Sequence, residues 1–131
     1  MQRAYYAAIL CYCGLIFWIS SRPVPELSGP KFPGQDKLLH LMAYGVLAGL
    51  VSLGLHRSGR AYAPRLLYWI PVLVSALYGV SDEIHQYFVP DRTFSFGDMA
   101  ANLTGALLAS AVCLLFFRRF PRLIPAEAEG T

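Results

Sequence analysis

Apolar residues run along the chain in four long stretches, and none of the four is interrupted by polar positions at the period of a helix face. Between Arg3 and Arg22 the sequence reads AYYAAILCYCGLIFWISS, and between Lys37 and Arg57 it reads LLHLMAYGVLAGLVSLGLH. From Leu66 to Ser81 it reads LLYWIPVLVSALYGVS, and between Asp98 and Arg118, MAANLTGALLASAVCLLFF. A helix of a water-soluble bundle keeps one polar stripe toward solvent, and these segments have none. Each is near the ~20 residues that an α-helix needs to cross ~30 Å of hydrocarbon. The pattern predicts an all-α integral membrane bundle of four transmembrane helices, at about residues 4–21, 36–56, 66–88 and 98–117, in a single domain. The third stretch is the shortest, so its helix must carry Asp82 and Glu83 at or just inside one interface.

The breaks between stretches agree with this reading. The first connection, SRPVPELSGPKFPGQ, is rich in proline and glycine and predicts an ordered turn or extended segment. Arg57 to Pro64 reads as a short polar turn, and Val89-Pro90-Asp91 ends the third helix, because proline disfavours helical geometry in the residue before it. The tail from Pro125 is expected to fray. Arg3 ahead of an apolar run also suits a signal peptide. WISSRPVPE, however, makes a poor small-residue cleavage site, so the segment is expected to remain as an anchor.

Close packing of such helices has to come from small residues and polar contacts, since lipid is as apolar as leucine. Gly45 and Gly49 stand four apart in the second helix, and Ser75 and Gly79 in the third. Ala101, Gly105, Ala109 and Cys113 form a ridge in the fourth. These ridges predict that helices two, three and four approach one another closely, with the aromatic-rich first helix outside them or facing lipid. Pro71 either kinks the third helix or sits in its first turn.

Composition sharpens the class: 56% of residues are hydrophobic and 15% charged, against about 25% charged in soluble domains. Disorder is excluded by that hydrophobicity, and a disulfide scaffold by a cysteine count of 3. Cys11, Cys13 and Cys113 lie in apolar stretches and read as small hydrophobes. Basic residues crowd the loops on one side of the four-helix arrangement: Arg3, then Arg57, Arg60 and Arg65, then Arg118, Arg119 and Arg122. The other side has Arg22, Lys31, Lys37 and Arg92. This bias predicts both termini in the cytoplasm. The net charge of +3 therefore reflects topology, and no motif or basic stripe points to a nucleic-acid partner.

The exceptions to apolarity gather at the outer ends of helices two to four. Asp36, His40 and Tyr44 are spaced by four and share a face, with Lys37 beside them. Asp82 and Gln86 share a face near the end of the third helix, next to Glu83 and His85. Asp98 and Asn102 do so in the fourth, where Asp98 or Ser95 is placed to cap the helix. A charged side chain at the bilayer centre costs about 2.5–3.5 kcal/mol and less near an interface, so several on adjoining helices predict a shared, watered pocket. The bland alternative is a purely structural network of mutual pairs.

These residues carry a family resemblance. D-K-x-x-H-x-x-x-Y at Asp36 to Tyr44, and S-D-E-I-H-Q-x-F-V-P-x-R-x-x-S-x-x-D-x-x-A-N-x-x-G from Ser81 to Gly105, resemble the two motif blocks of the VanZ-like membrane proteins. Asp91 stands where that family commonly has glycine. The resemblance implies a small multi-pass protein of the bacterial cytoplasmic membrane. It also implies an association with resistance to the glycopeptide teicoplanin, which is a phenotype more than a reaction.

The pocket residues sum to a negative formal charge: Asp36, Asp82, Glu83, Asp91 and Asp98 against Lys37 and Arg92. A protonated carboxyl, a cationic histidine or a bound divalent metal would each relieve it. His40, His85, Asp36 and Glu83 are of metal-ligand type but lack a tight signature, so the sequence fixes no cofactor. Ser81, Asp82 and His85 fall within one helical turn and make a poor nucleophilic triad.

Asp36, His40, Asp82, Glu83 and His85 are the candidates for acid–base chemistry. Lys37, Tyr44, Gln86, Arg92, Ser95, Asp98 and Asn102 are the candidates for binding. The expected partner is a membrane lipid or lipid-linked amphiphile, with a homo-oligomer as a further expectation. The function is expected to be engagement of that amphiphile at the outer face, with a membrane enzyme acting on its head group as the alternative.

Overall fold

A computed structural model of the chain describes residues 2–22 and 32–121. Its elements are α1 (Gln2–Ser20), α2 (Gln35–His56), α3 (Pro64–Tyr87) and α4 (Phe96–Arg119), and the described residues contain no strand. The proline-rich segment 23–31 and the tail from residue 122 lie outside the described residues.

Local chemistry sets the helix limits. Pro64 occupies the start of α3, where its fixed φ suits a first turn and its missing N–H costs nothing. Pro71 therefore lies inside α3 and not in its first turn. Of the two residues placed to cap α4, Ser95 does so: its hydroxyl accepts the Asp98 N–H at 3.2 Å. Gly34, ahead of α2, takes a left-handed φ of 83° that glycine allows without strain. Asp91, in the turn after α3, also has positive φ, at 62°. A left-handed residue explains why glycine suits this position. Aspartate is one of the few other side chains that tolerate it.

Successive helices run in opposite directions. At one end Ser20 and Ser21 meet Gln86 and His85, and Lys37 meets Asp98. At the other end Arg57 reaches the Tyr5 hydroxyl and His56 stacks on Phe117. The most extensive interface joins α2 to α4, followed by α3 with α4 and α2. α1 packs mainly on α2 and only lightly on α3.

The distribution of polarity is the reverse of a water-soluble fold. Leu77 is 70% exposed while Glu83 is 0% exposed, and Ser75, Asn102 and Ser110 are buried with it. Leu10, Leu108, Val112 and Leu115 form outward faces of the same kind. Outward faces so apolar suit helices that cross a membrane. α1, α2 and α4 are long and apolar enough to cross a bilayer. α3 has the length of α4 but not its apolarity, because it carries Arg65, Asp82, Glu83, His85 and Gln86.

The small residues act selectively. Gly105 lies against the backbone of α2, where an added Cβ would collide with the Leu41 carbonyl oxygen and lie 3.1 Å from the Gly45 nitrogen. Gly45 faces it in return, its Cβ position 3.4 Å from the Gly105 oxygen. Gly79 makes room for Asn102 and Tyr44. Gly49, expected on the same ridge as Gly45, has nothing within 4 Å of its Cβ position.

Gly105→Ala should therefore lower the unfolding midpoint in detergent markedly, because the obstacle is backbone and cannot rotate away. Overpacking of this kind costs about 1–3 kcal/mol. Gly49→Ala should leave the midpoint unchanged or raise it slightly.

Candidate functional site

The α2–α4 contact at Gly105 aligns the turns above it. One turn toward the α4 start, Asn102 Oδ1 lies 3.0 Å from Nδ1 of His40, which is the residue before Leu41. One turn further, Asp98 Oδ1 accepts from Lys37 Nζ at 3.3 Å, and Lys37 also reaches Asp36 at 3.0 Å. Asp98 Oδ2 stands 3.8 Å from His40 Nε2. α3 brings Glu83 to the same place, with Oε1 3.9 Å from His40 Nδ1. Ser95 serves here a second time, its backbone N–H donating to Glu83 Oε2 at 3.1 Å. His40, Glu83 and Asp98 each offer one ligand-type atom within 4.8 Å of the others.

A second group lies beside the first, and the parallel rings of His40 and Tyr44, 6.4 Å apart, join the two. The buried Tyr44 hydroxyl donates to Asp82 Oδ2 at 2.9 Å, and Gln86 Nε2 donates to the same oxygen at 3.0 Å. Gln86 also reaches the Ser20 hydroxyl on α1 at 3.4 Å. The Arg92 guanidinium donates to the Arg22 and Ile19 carbonyls at the end of α1 and to Gln86 Oε1. The Ile19 carbonyl also accepts the Arg22 N–H at 3.2 Å, so Arg92 adds a second donor there and ties the turn after α3 to the end of α1.

A cavity of about 520 Å³ opens between these groups. Its polar lining includes Asp36, His40, Tyr44, Asp82, Gln86, Asp91, Arg92 and Asp98. Its apolar lining is Ile16 and Ile19 of α1, Phe32, and Leu39 and Ala43 of α2. Glu83 and Asn102 stand behind this wall, inside the bundle, and are not among the lining residues. Two carboxylate oxygens, Asp82 Oδ1 and Glu83 Oε1, are buried without a hydrogen-bond partner, as is Asn102 Nδ2.

Of the residues singled out from the sequence, all but His85 gather around this cavity and the wall behind it. His85 turns away: its Nε2 lies 2.9 Å from the Ser21 hydroxyl and its ring packs on Phe17 of α1. Ser81 donates to the Tyr78 carbonyl in its own helix and takes no part. The ligand types named from sequence are thus regrouped, with His40 and Glu83 together, Asp98 added, and His85 and Asp36 left out.

The cavity also has a wall that the sequence did not indicate. α1 supplies Ile16, Ile19 and Ser20, and its Tyr12 hydroxyl donates to the Ala43 carbonyl at 3.0 Å. Hydroxyls among apolar neighbours were the only available signal for that role.

A family model described as VanZ/LLP1 matches residues 12–117, which contain every residue of the cavity and of the buried cluster. No curated protein and no solved structure gives a match.

Tyr44→Phe should remove one of the two donors to the buried Asp82 carboxylate. The expected loss is about 1–3 kcal/mol of stability, read as a lowered unfolding midpoint in detergent. His85→Ala, at an exposed contact with Ser21, should change that midpoint much less.

Proposed function

The chain belongs to the VanZ-like family, and from that premise we propose that its cavity engages the head group of an amphiphile at the outer leaflet of a bacterial cytoplasmic membrane. The observation that carries this reading is the mixed lining of the cavity. Carboxylates, an imidazole and a guanidinium line it together with Ile16, Ile19, Leu39 and Ala43 of α1 and α2. A head group suits the polar side chains and the start of an acyl chain the apolar ones.

The topology that places this end outside is part of the proposal. α3 crosses the membrane as a fourth span, its polar end held inward by α2 and α4, and both termini are cytoplasmic. Arg57, Arg60, Arg65, Arg118 and Arg119 at the far end supply the basic bias that supports this orientation. An envelope lipid, a lipid-linked precursor and a lipoglycopeptide such as teicoplanin all have the required amphiphilic form. Binding one of them is the reading that connects the cavity to a resistance phenotype.

A second reading, a membrane enzyme acting on the head group, draws on one observation. An imidazole faces two carboxylates at the cavity wall, a pairing that suits proton transfer.

Full-length protein in detergent, titrated with fluorescent phosphatidylglycerol and with teicoplanin, should bind at least one of them saturably. Leu39→Trp, which enlarges a half-exposed apolar side chain of the cavity lining, should weaken that binding about tenfold or more, ~1.4 kcal/mol. Saturable binding that is indifferent to Leu39→Trp would place the ligand elsewhere and overturn the reading. Mass spectrometry of the same mixtures decides between readings, since a product formed by the wild type and lost in His40→Ala identifies an enzyme.

A further inference from the structure

We infer that His40, Glu83 and Asp98 bind one divalent transition-metal ion, of which Zn2+ is the type, in the wall between the cavity and the bundle interior. The inference rests on the amphiphile reading in one respect. The ion's remaining coordination position would face the cavity and take an anionic oxygen, such as a head-group phosphate oxygen.

The donor set is one imidazole and two carboxylates, a combination that suits Zn2+ and its first-row neighbours and leaves one tetrahedral position open. One ligand-type atom from each residue lies within 4.8 Å of the other two. Two ligands bound ~2.1 Å from a common ion stand at most ~4.2 Å apart, so the cluster has to close on the ion, with Glu83 Oε1, now 3.9 Å from Nδ1, swinging toward the Nε2 side of the ring.

The hydrogen bonds around the cluster leave its ligand atoms free. His40 Nδ1 faces the Asn102 carbonyl oxygen at 3.0 Å, which makes Nδ1–H the donor and leaves the Nε2 lone pair without a proton. That lone pair confronts Asp98 Oδ2 at 3.8 Å, an unfavourable meeting of two acceptors unless a cation lies between them. Lys37 occupies the other oxygen of Asp98 and leaves Oδ2 open. Glu83 is 0% exposed, and its Oε1 has no hydrogen-bond partner. A protonated His40 does not account for the arrangement. Its contacts with the two carboxylates are 3.9 and 3.8 Å, where charge-assisted bonds close to about 2.7–2.9 Å.

The surroundings supply what a metal site needs behind its ligands. Asn102 orients the imidazole, and the Ser95 N–H holds the second oxygen of Glu83. Asp82 adds further negative charge nearby, while Arg92 is turned to the α1 carbonyls.

The test uses the full-length protein in detergent, stripped with a chelator and dialysed against Zn2+, with retained metal counted by elemental mass spectrometry. The wild type should retain about one ion per chain. His40→Ala and Glu83→Gln should each weaken retention at least as much as the ~10–100-fold that loss of a supporting residue costs. His85→Ala should retain the ion as the wild type does. Absence of retention by the wild type, or retention unaffected by both cluster substitutions, overturns the site.

Should those variants fail to fold, Co2+ in the wild type serves instead. Weak visible bands of a nitrogen- and oxygen-ligated ion support the site, and a thiolate charge-transfer band assigns the ion to a cysteine and overturns it. Binding of phosphatidic acid and of diacylglycerol, with and without Zn2+, separates the two readings. Metal-independent lipid binding without ion retention refutes only the metal site. Ion retention without any lipid binding supports the metal site and refutes only the amphiphile reading.

Discussion

The backbone contact between α4 and α2 at Gly105 governs the geometry of everything above it. No hydrophobic force draws helices together in lipid, so their separation is set by how closely their surfaces fit. With no side chain at Gly105, α4 rests against the Leu41 carbonyl and the Gly45 nitrogen. At that separation the turns of the two helices match in register. Asn102 meets His40, and Asp98 meets Lys37. A wider spacing would put water or lipid between these pairs. α3 then fits through Gly79, which leaves room for Asn102 and Tyr44 and brings Glu83 and Asp82 into the same end of the bundle.

The helices and their caps were legible in the sequence because charge-free length, proline and serine have direct local consequences. Ser95, one of two residues placed to cap α4, does so, whereas Pro64, read as the end of a turn, opens α3, and the positive φ at Asp91 emerges only in the fold. The residues of the site were legible as a group, since polar side chains are costly in such segments and stand out. Their partners were harder to read. Asp82, Glu83 and Gln86 lie within one arc of α3, while His85 falls to its edge and meets α1 instead. The role of α1 was hidden because the apolar residues that line a cavity, such as Ile16 and Ile19, look the same as those that face lipid. The same ambiguity explains Gly49, whose spacing matches a packing ridge that the helix does not use.

Charge is unevenly compensated across the site. Lys37 serves Asp36 and Asp98 together, and the Asp36 contact is largely exposed and therefore weak. Arg92, counted from the sequence as a balancing cation, is engaged with backbone carbonyls and Gln86, and makes no ion pair among the described residues. Asp82 is held by two neutral donors on one oxygen, and Glu83 by a single backbone N–H. Each keeps a buried oxygen without a partner.

This imbalance bears on whether the network is only structural. Buried ionic groups are seldom a gain in stability over well-packed apolar ones, and an unpaired one is a loss of several kcal/mol by rough estimate. The helices here already have the means to pack, in Gly45, Gly79 and Gly105. Nothing in that packing calls for Glu83 at the junction of α2, α3 and α4. A network kept for stability would be expected to complete its hydrogen bonds, as the Tyr44 and Gln86 donors do for one oxygen of Asp82. Glu83 instead has an oxygen turned toward an imidazole that is already bonded elsewhere, one layer behind the cavity wall. The cation inferred at His40, Glu83 and Asp98 would supply the partner that this carboxylate lacks within the bundle.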